Sequence, residues 1–192
     1  MTRASASVII WKRFIRASML VYSAMNVLIS ADDIQRRVHS LAQEIHRDHP
    51  DGVHLVCVLK GAFVFLADLS RQLPATTTLD FMAVSSYGTS TRSSGQVQVL
   101  KDLGSPVEGR DVVIVEDIVD TGLTLTYLQD IIRARSPRHV RTACLLSKPS
   151  RRKIDVKVEY VGFTIEDKFV VGYGLDYAEQ YRNLPYIAVI GD

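Results

Sequence analysis

Three carboxylates, Glu116, Asp117 and Asp120, lie within five residues of one another in the segment VVIVEDIVDTGLT, which runs from Val112 to Thr124. They follow an apolar run of the kind that forms a buried strand. Like charges at this spacing repel one another, and the repulsion is stronger where water is excluded. The cluster therefore predicts a ligand that compensates the carboxylates at the end of a strand.

The turn after these acids has the residue types of a phosphate site. Thr121, Gly122, Leu123 and Thr124 lead from the strand into a predicted helix, whose first N–H groups are unpaired and carry the positive end of the helix dipole. Gly122 allows close approach of the backbone, and the two threonine hydroxyls add donors. The G-x-x-x-x-G-K-[ST] spacing of triphosphate loops is absent, so the turn suits one monoester phosphate.

The acids before the turn suit the rest of a sugar phosphate. Glu116 and Asp117 can accept hydrogen bonds from a ribose diol, either directly or through a hydrated Mg²⁺, which typically takes one or two carboxylates plus substrate oxygens. Asp120 is then left to act as a base near the anomeric carbon. Acid pairs also follow strands in metal-binding receiver-type domains, but the D-x-x-D-T-G-x-T spacing argues against that class.

Two further polar groups stand at predicted strand ends. Lys60-Gly61 follows one apolar run, and Lys148 ends another. Ligands of open α/β sheets bind beyond the carboxyl ends of the strands, so these groups and the acid cluster converge if their strands are parallel neighbours. Each alone could be an ordinary strand-end residue, but that reading fits all three together poorly.

The elements that must position these residues can be predicted from periodicity. A helix is predicted after Ser30, which with Asp33 resembles a capping box, and Ile29 and Ile34 have the spacing of a hydrophobic staple. Two more helices are predicted over 62–73 and 123–135. Strands are predicted over 53–61, 77–87, 96–100, 111–118, 139–148, 158–165, 169–176 and 186–190, and the polar segment 85–95 is predicted to be a mobile loop. Strands alternating with helices indicate an α/β fold with a mainly parallel sheet.

Composition indicates one soluble globular domain, with 47% hydrophobic and 23% charged residues. Cys57 and Cys144 both lie in apolar runs and are expected to be buried thiols, as in a reducing compartment. The five histidines show no metal-ligand spacing. No apolar stretch is long enough to span a membrane, and the small net charge of +2 gives no reason to expect a nucleic-acid partner.

The first 24 residues differ from the rest. They contribute four basic residues and no acid, so the net charge of +2 becomes −2 for residues 25–192. A composition rich in Arg and Ser is typical of organelle transit peptides, whereas charges within the apolar part disfavour a secretory signal. A translation start placed too far upstream, with Met25 as the true start, is a third interpretation. Residues 25–192 are expected to form the single domain.

The chain resembles a known family over residues 27–190. VVIVEDIVDTGLT is similar to the phosphoribosyl-pyrophosphate (PRPP) motif of type I phosphoribosyltransferases, and the chain is similar to the members that act on hypoxanthine and guanine. The pyrophosphate loop of the family resembles residues 58–69, and its mobile loop resembles residues 85–95. The segment with a purine-contacting lysine resembles residues 145–153, and a small C-terminal hood over the purine resembles residues 163–190. The resemblance implies a central, mainly parallel sheet flanked by helices.

The resemblance also implies a reaction and a role for each matching residue. The reaction is purine salvage, in which Mg²⁺-dependent transfer of the phosphoribosyl group from PRPP to hypoxanthine or guanine gives a nucleotide (IMP or GMP) and pyrophosphate. Asp120 would be the general base at the purine N7. The PRPP ribose and 5′-phosphate would be bound by Glu116, Asp117, Asp120, Thr121, Gly122, Leu123 and Thr124, and the pyrophosphate by Lys60, Gly61 and Arg182, where the Lys60–Gly61 loop often has a cis peptide bond. The purine would be bound by Lys148, Phe169, Val170 and Asp176. The metal would be bound by Glu116, Asp117 and Asp176, and Ser86 and Tyr87 would close the mobile loop.

The family usually forms dimers or tetramers, so a homodimer or homotetramer is expected. The chain is expected to be cytoplasmic, with no nucleic-acid or membrane partner. Two positions depart from the pattern: Ala62 stands where many members have a second glycine, and Leu123 where some have lysine. A transcriptional regulator on the same fold is one alternative, but it would need a basic face, which a net charge of −2 over residues 25–192 disfavours. A transferase for another base, such as xanthine or a pyrimidine, is a further alternative. The lysine and the hood favour 6-oxopurines, and xanthine shares the 6-oxo group.

Overall fold

The protein is described by a computed structural model that covers residues 25–86 and 97–191. Its main sheet has six strands: β2 (His54–Leu59), β3 (Thr78–Ser86), β4 (Val97–Lys101), β5 (Asp111–Val119), β6 (His139–Ser147) and β7 (Tyr160–Thr164). Their order is β4-β3-β2-β5-β6-β7. All neighbours pair in parallel except β3 and β4, which are antiparallel. The α/β prediction with a mainly parallel sheet is confirmed.

Three helices cover the sheet: α1 (Ala31–Asp48), α2 (Phe63–Ser70) and α3 (Leu123–Arg133). The side chains of α1 and α2 belong to one buried cluster with alternate residues of β2 and β5, and those of α3 belong to a second cluster with the other residues of these strands. The two clusters therefore lie on opposite faces of the sheet. Strands covered on both faces are expected to be almost continuously apolar, as β2 and β5 are.

Helix α1 begins as its sequence predicts. The Ser30 hydroxyl accepts a hydrogen bond from the Asp33 N–H at 3.1 Å, and Ile29 and Ile34 are both buried, as a hydrophobic staple requires. The other two helices are shorter than predicted. Helix α2 ends at Ser70 rather than 73, and α3 ends at Arg133 rather than 135, in turns whose N–H groups bond to carbonyls three or four residues back.

A second, three-stranded sheet stands beside the main one. Strand β1 (Asn26–Ile29) pairs antiparallel with β9 (Ile187–Val189), which pairs antiparallel with β8 (Val170–Val171). Strand β1 was not predicted, because four residues are too few for periodicity to identify. This pairing joins the start of the described chain to the C-terminal segment 163–190 that we call the hood.

Several smaller predictions can be compared with the structure. Cys57 and Cys144 are free thiols and are buried, as expected. Ser86 is the last residue of β3, whereas Tyr87 and the rest of the predicted mobile loop lie outside the described residues. No helix within the described ranges is both long and apolar enough to cross a membrane.

Candidate active site

The three chemically unusual strand ends lie side by side. Strands β2, β5 and β6 are neighbours in the sheet and run in the same direction, so Lys60, the acids of β5 and Lys148 are all found at one edge. The convergence that the sequence predicted is therefore present. Strand β5 stands between the other two, which places its carboxylates in the middle of the group.

The predicted phosphate turn has the backbone geometry that its sequence requires. Gly122 is the N-cap of α3 with φ of 85°, a left-handed conformation that favours glycine. A Cβ at Gly122 would meet Val156 Cγ1 at 2.9 Å and the Ile154 carbonyl oxygen at 3.0 Å. The Thr121 carbonyl accepts hydrogen bonds from the N–H groups of Lys153 and Ile154, at 3.0 and 3.3 Å. The segment after β6 thus holds the turn in place.

The two adjacent acids of β5 are held where ionisation is costly. Burial raises the pKa of Glu116 well above its ordinary value, and the neighbouring Asp117 carboxylate raises it further. Burial likewise raises the pKa of Asp117 to about 6, although the Ile118 N–H and the Arg182 charge favour its ionised form. Asp117 Oδ1 accepts from the Ile118 N–H at 2.7 Å. Both carboxylates would gain from a cation or hydroxyl donors supplied by a ligand.

The Lys60–Gly61 loop packs directly on these acids. The Leu59–Lys60 peptide bond is cis, in the loop where the family resemblance led us to expect one. A Cβ on Gly61 would overlap the Asp117 carboxylate, so only glycine fits this position without displacing the acid. A Cβ on Gly174 would overlap the Gly61 carbonyl oxygen. The loop is therefore enclosed between β5 and the hood.

A network of charged side chains in the hood covers the same edge of the sheet. Arg182 Nη2 lies 2.7 Å from Asp176 Oδ1, and Arg182 Nη1 donates to the Gly174 carbonyl at 2.8 Å. Glu179 bridges the two cations that were predicted to bind pyrophosphate: its Oε2 lies 3.0 Å from Lys60 Nζ and its Oε1 lies 3.4 Å from Arg182 Nη2. Lys60 and Arg182 are therefore brought to one place, held by a shared carboxylate.

The predicted purine residues line a cavity of about 470 Å³ between β5, β6 and the hood. Lys148 is 8% exposed, and its Nζ donates to the Lys168 carbonyl at 2.7 Å. Phe169 is half exposed, and its ring stands edge-on to Tyr177 with centroids 5.7 Å apart. An exposed aromatic face beside a buried ammonium group offers a planar ligand both stacking and a hydrogen-bond donor. The cavity is lined by Asp117, Ile118, Asp120, Lys148, Arg151, Asp167, Phe169, Val170, Leu175 and Asp176.

Sequence reasoning missed three residues of this site. Arg151 Nε donates to Asp120 Oδ1 at 2.9 Å, and Arg151 Nη1 donates to Asp167 Oδ2 at 3.2 Å. Glu179, which pairs with Lys60, was likewise assigned no role. Arg151 stands in a basic turn and Asp167 and Glu179 in the hood, and nothing in the spacing of these residues indicates that their side chains meet the predicted site.

The carboxylates at this edge could contribute to a divalent cation site but do not form a complete one. Asp117 and Asp176 both line the cavity, and the Asp176 charge contributes to the raised pKa of Asp117. Within residues 25–86 and 97–191, no three His, Cys, Asp or Glu side chains form a group that could hold a metal. Carboxylate oxygens are donors that Mg²⁺ takes, usually one or two of them together with water and substrate oxygens.

Comparison with known proteins agrees with this geometry. The family model described as a phosphoribosyl transferase domain matches residues 30–178. A hypoxanthine-guanine phosphoribosyltransferase of Bacillus subtilis is 51% identical over 173 residues, which cover 90% of this chain and 96% of the relative. The crystal structure of a hypoxanthine-guanine phosphoribosyltransferase of Bacillus anthracis superimposes with a TM-score of 0.83 at 47% identity, over 86% of this chain and 98% of that one. That of a hypoxanthine phosphoribosyltransferase of Staphylococcus aureus gives 0.85 at 42% identity, over 90% and 95%. The chain belongs to the phosphoribosyltransferase family, and within it to the hypoxanthine-guanine phosphoribosyltransferases.

Proposed function

We propose that the protein transfers the phosphoribosyl group of PRPP to hypoxanthine or guanine, releasing pyrophosphate. The observation that carries the proposal is the position of Asp120. It stands one residue before the phosphate turn and lines the same cavity as Lys148 and Phe169. A sugar phosphate held by that turn would bring its anomeric carbon toward a base lying in the cavity.

The proposed reaction exchanges one bond at the anomeric carbon for another. A purine ring nitrogen forms a bond to C1′ as the bond from C1′ to the pyrophosphate oxygen breaks, and Asp120 takes the proton that leaves the purine at N7. Charge develops on the sugar in an oxocarbenium-like transition state, so exclusion of water and fixed charges contribute more than covalent chemistry. Glu116 and Asp117 would hold the ribose hydroxyls, and the amides of the Thr121–Thr124 turn would hold the 5′-phosphate.

The remaining predicted residues would bind the purine and the pyrophosphate. Lys148 Nζ would donate to the 6-oxo group, and Phe169 would stack on the base above the buried Val170. The Lys60–Gly61 loop and Arg182 would bind pyrophosphate, with Arg182 suited to two parallel hydrogen bonds. Closure of the predicted mobile loop by Ser86 and Tyr87 would exclude water.

Mg²⁺ is the cofactor that these donors fit. Asp117, with Glu116 beside it, and Asp176 are the side chains that would hold Mg²⁺ together with oxygens of PRPP. When bound, the ion would neutralise charge on the pyrophosphate leaving group and offset the repulsion between the buried acids. We also propose a cytoplasmic protein that forms a homodimer or homotetramer, which light scattering on the purified chain would measure.

Steady-state kinetics with hypoxanthine, guanine, xanthine and adenine, each with PRPP and Mg²⁺, test the proposed function. We expect nucleotide formation with the 6-oxopurines and little with adenine, because adenine presents an amino donor to Lys148 where hypoxanthine presents an acceptor. Equal rates with adenine and hypoxanthine would contradict the role of Lys148. Xanthine shares the 6-oxo group, so its rate relative to guanine defines the purine specificity.

The Asp120→Asn variant tests the base. Positioned proton transfer contributes about 10²–10⁴-fold to a rate, so turnover with hypoxanthine should fall by that order. PRPP binding, measured by calorimetry with Mg²⁺, should remain largely intact, because the phosphate turn acts through its backbone amides. Undiminished turnover would place the base elsewhere, while loss of PRPP binding would show that Asp120 serves mainly to hold the sugar.

A further inference from the structure

Arg151 is hydrogen-bonded to Asp120, the carboxylate proposed to act as the base at the purine N7. Its guanidinium bridges two acids on the lining of the cavity, with Nε donating to Asp120 Oδ1 at 2.9 Å and Nη1 donating to Asp167 Oδ2 at 3.2 Å. The side chain of Arg151 is 46% exposed, that of Asp120 is 37% exposed and that of Asp167 is 50% exposed. The planar guanidinium therefore joins β5 to the hood from one side of the cavity to the other.

The backbone of this turn does not depend on the Arg151 side chain. Arg151 ends a short 3₁₀ turn (Pro149–Arg151), and the following residue, Arg152, holds that turn against β5. Arg152 Nη1 donates to the carbonyls of Val119 and Asp120, at 2.5 Å each, and Nη2 donates to Ser147 Oγ at 2.9 Å. Every side-chain hydrogen bond of Arg151 goes to a carboxylate, so its guanidinium can leave Asp120 while the turn stays in place.

We infer that the Arg151 guanidinium engages the Asp120 carboxylate in the purine cavity, and that this ion pair must break before a 6-oxopurine can bind. Arg151 is then a positioning residue that acts through Asp120. It keeps Asp167 as a partner after release, because its two hydrogen bonds go to different acids. The inference rests on the proposed function, since it assumes that a purine enters this cavity.

The Arg151→Gln variant separates this role from a structural one. Exposed ion pairs typically contribute about 0.2–1 kcal/mol, so loss of the pair should lower the KM for hypoxanthine by about 1.4- to five-fold at saturating PRPP, with kcat unchanged. Salt screens an exposed pair, so raising the ionic strength should lower the hypoxanthine KM of the wild-type protein but not that of the variant. A merely structural role would not produce this difference in salt dependence.

Arg133→Gln is the matched control, because it removes the same charge from another exposed ion pair, with Asp130 at 3.4 Å on α3. It should leave the hypoxanthine KM and its salt dependence as in the wild-type protein. Arg151→Lys retains a charge without the planar fork, so its KM should lie between those of the wild type and Arg151→Gln. This conservative variant also preserves the test if the glutamine variant folds poorly.

Two results would overturn the inference. An unchanged hypoxanthine KM in Arg151→Gln would show that the ion pair does not oppose purine binding. A higher KM or a lower kcat would show that Arg151 assists the bound substrate directly. Failure of the proposed function is distinguishable from both, because the wild-type protein would then form no nucleotide from any 6-oxopurine.

Discussion

Asp117 is a residue whose ionised side chain costs the fold stability. It lies at the end of β5 beside Glu116, and burial raises its pKa from an ordinary 3.8 to about 6. The folded state therefore binds a proton more tightly than the unfolded state does. Near neutral pH the Asp117 carboxylate is ionised in both states, and its burial then costs stability. A bound cation would remove much of that cost.

The Asp117→Asn variant should accordingly be more stable than the wild-type protein at pH 7. A pKa difference from 3.8 to about 6 corresponds to at most about 3 kcal/mol, and we expect a gain of about 1–3 kcal/mol in the free energy of unfolding. The gain should shrink as the pH falls through 6 and vanish below about 4, where both states are protonated. Urea unfolding from pH 4 to pH 8 measures this difference, and nucleotide formation should fall sharply in the same variant.

Asp102→Asn is the control of opposite sign. A hydrogen bond from Arg135, at 2.8 Å, lowers the pKa of Asp102, so its ionised form stabilises the fold at neutral pH and that contribution is lost as the pH falls. This variant should be slightly less stable than the wild-type protein at pH 7. If Asp117→Asn were also less stable at pH 7, the interactions of the Asp117 negative charge with Arg182 and the Ile118 N–H would outweigh the cost of burying it.

The candidate residues at the ends of β5 and β6 could be predicted from the sequence because they stand at or just beyond the ends of apolar strands. A motif such as D-x-x-D-T-G-x-T carries its own geometry, since a strand followed by a helix fixes the turn between them. Arg151, Asp167 and Glu179 could not be found in this way. Their contacts join segments that are far apart in sequence, and they depend on side-chain conformations that no local pattern specifies.

At the scale of elements, the site depends on how closely β2 approaches β5. The two strands are neighbours, and their loops meet where Gly61 lies against the Asp117 carboxylate. Sequence patterns predicted both strands because each is a continuous apolar run. They did not give the order of strands in the sheet, which is a consequence of long-range pairing. Strand β1 was missed for a similar reason, because its partner β9 lies at the other end of the chain.

The Gly61→Ala variant tests the close contact between Gly61 and the Asp117 carboxylate. Its new methyl group would overlap the Asp117 carboxylate and force that side chain to turn away. Because Gly61 has an ordinary φ, alanine adds no backbone strain. The added methyl group overpacks a buried site, which typically costs about 1–3 kcal/mol, so the melting temperature should fall modestly. We expect turnover to fall by at least about tenfold, a loss of 1.4 kcal/mol or more of transition-state stabilisation.

Gly104→Ala is the matched control, since a Cβ there would lie 3.7 Å from Asp80 Oδ1, an ordinary contact. This variant should retain wild-type turnover. Normal activity in Gly61→Ala would show that the Asp117 carboxylate need not keep its place beside the loop.

At the scale of the whole molecule, the C-terminal hood pairs with the strand at the start of the described chain. Strand β9 pairs with β1, while β8 brings Val170 to the cavity that Lys148 and Phe169 line. Ile29 in β1 is buried in the same core cluster as Val170 and Ile187. The N-terminal strand therefore supports the purine side of the site, although it contributes no residue to the cavity.

We propose that residues 25–192 form a single folded domain, and that two truncations locate its N-terminal boundary. A chain starting at Met25 should keep the melting temperature and turnover of the full chain, because β1 remains. A chain starting at Ala31 loses the Ser30 cap, worth about 1 kcal/mol, and the burial of Ile29, worth about 1.5–3 kcal/mol. It should melt at a lower temperature, and its hypoxanthine KM should rise because β9 loses its partner. Calorimetry and purine kinetics on both chains measure these effects; a chain from Ala31 that behaves as the full chain does would show that the hood holds its shape without β1.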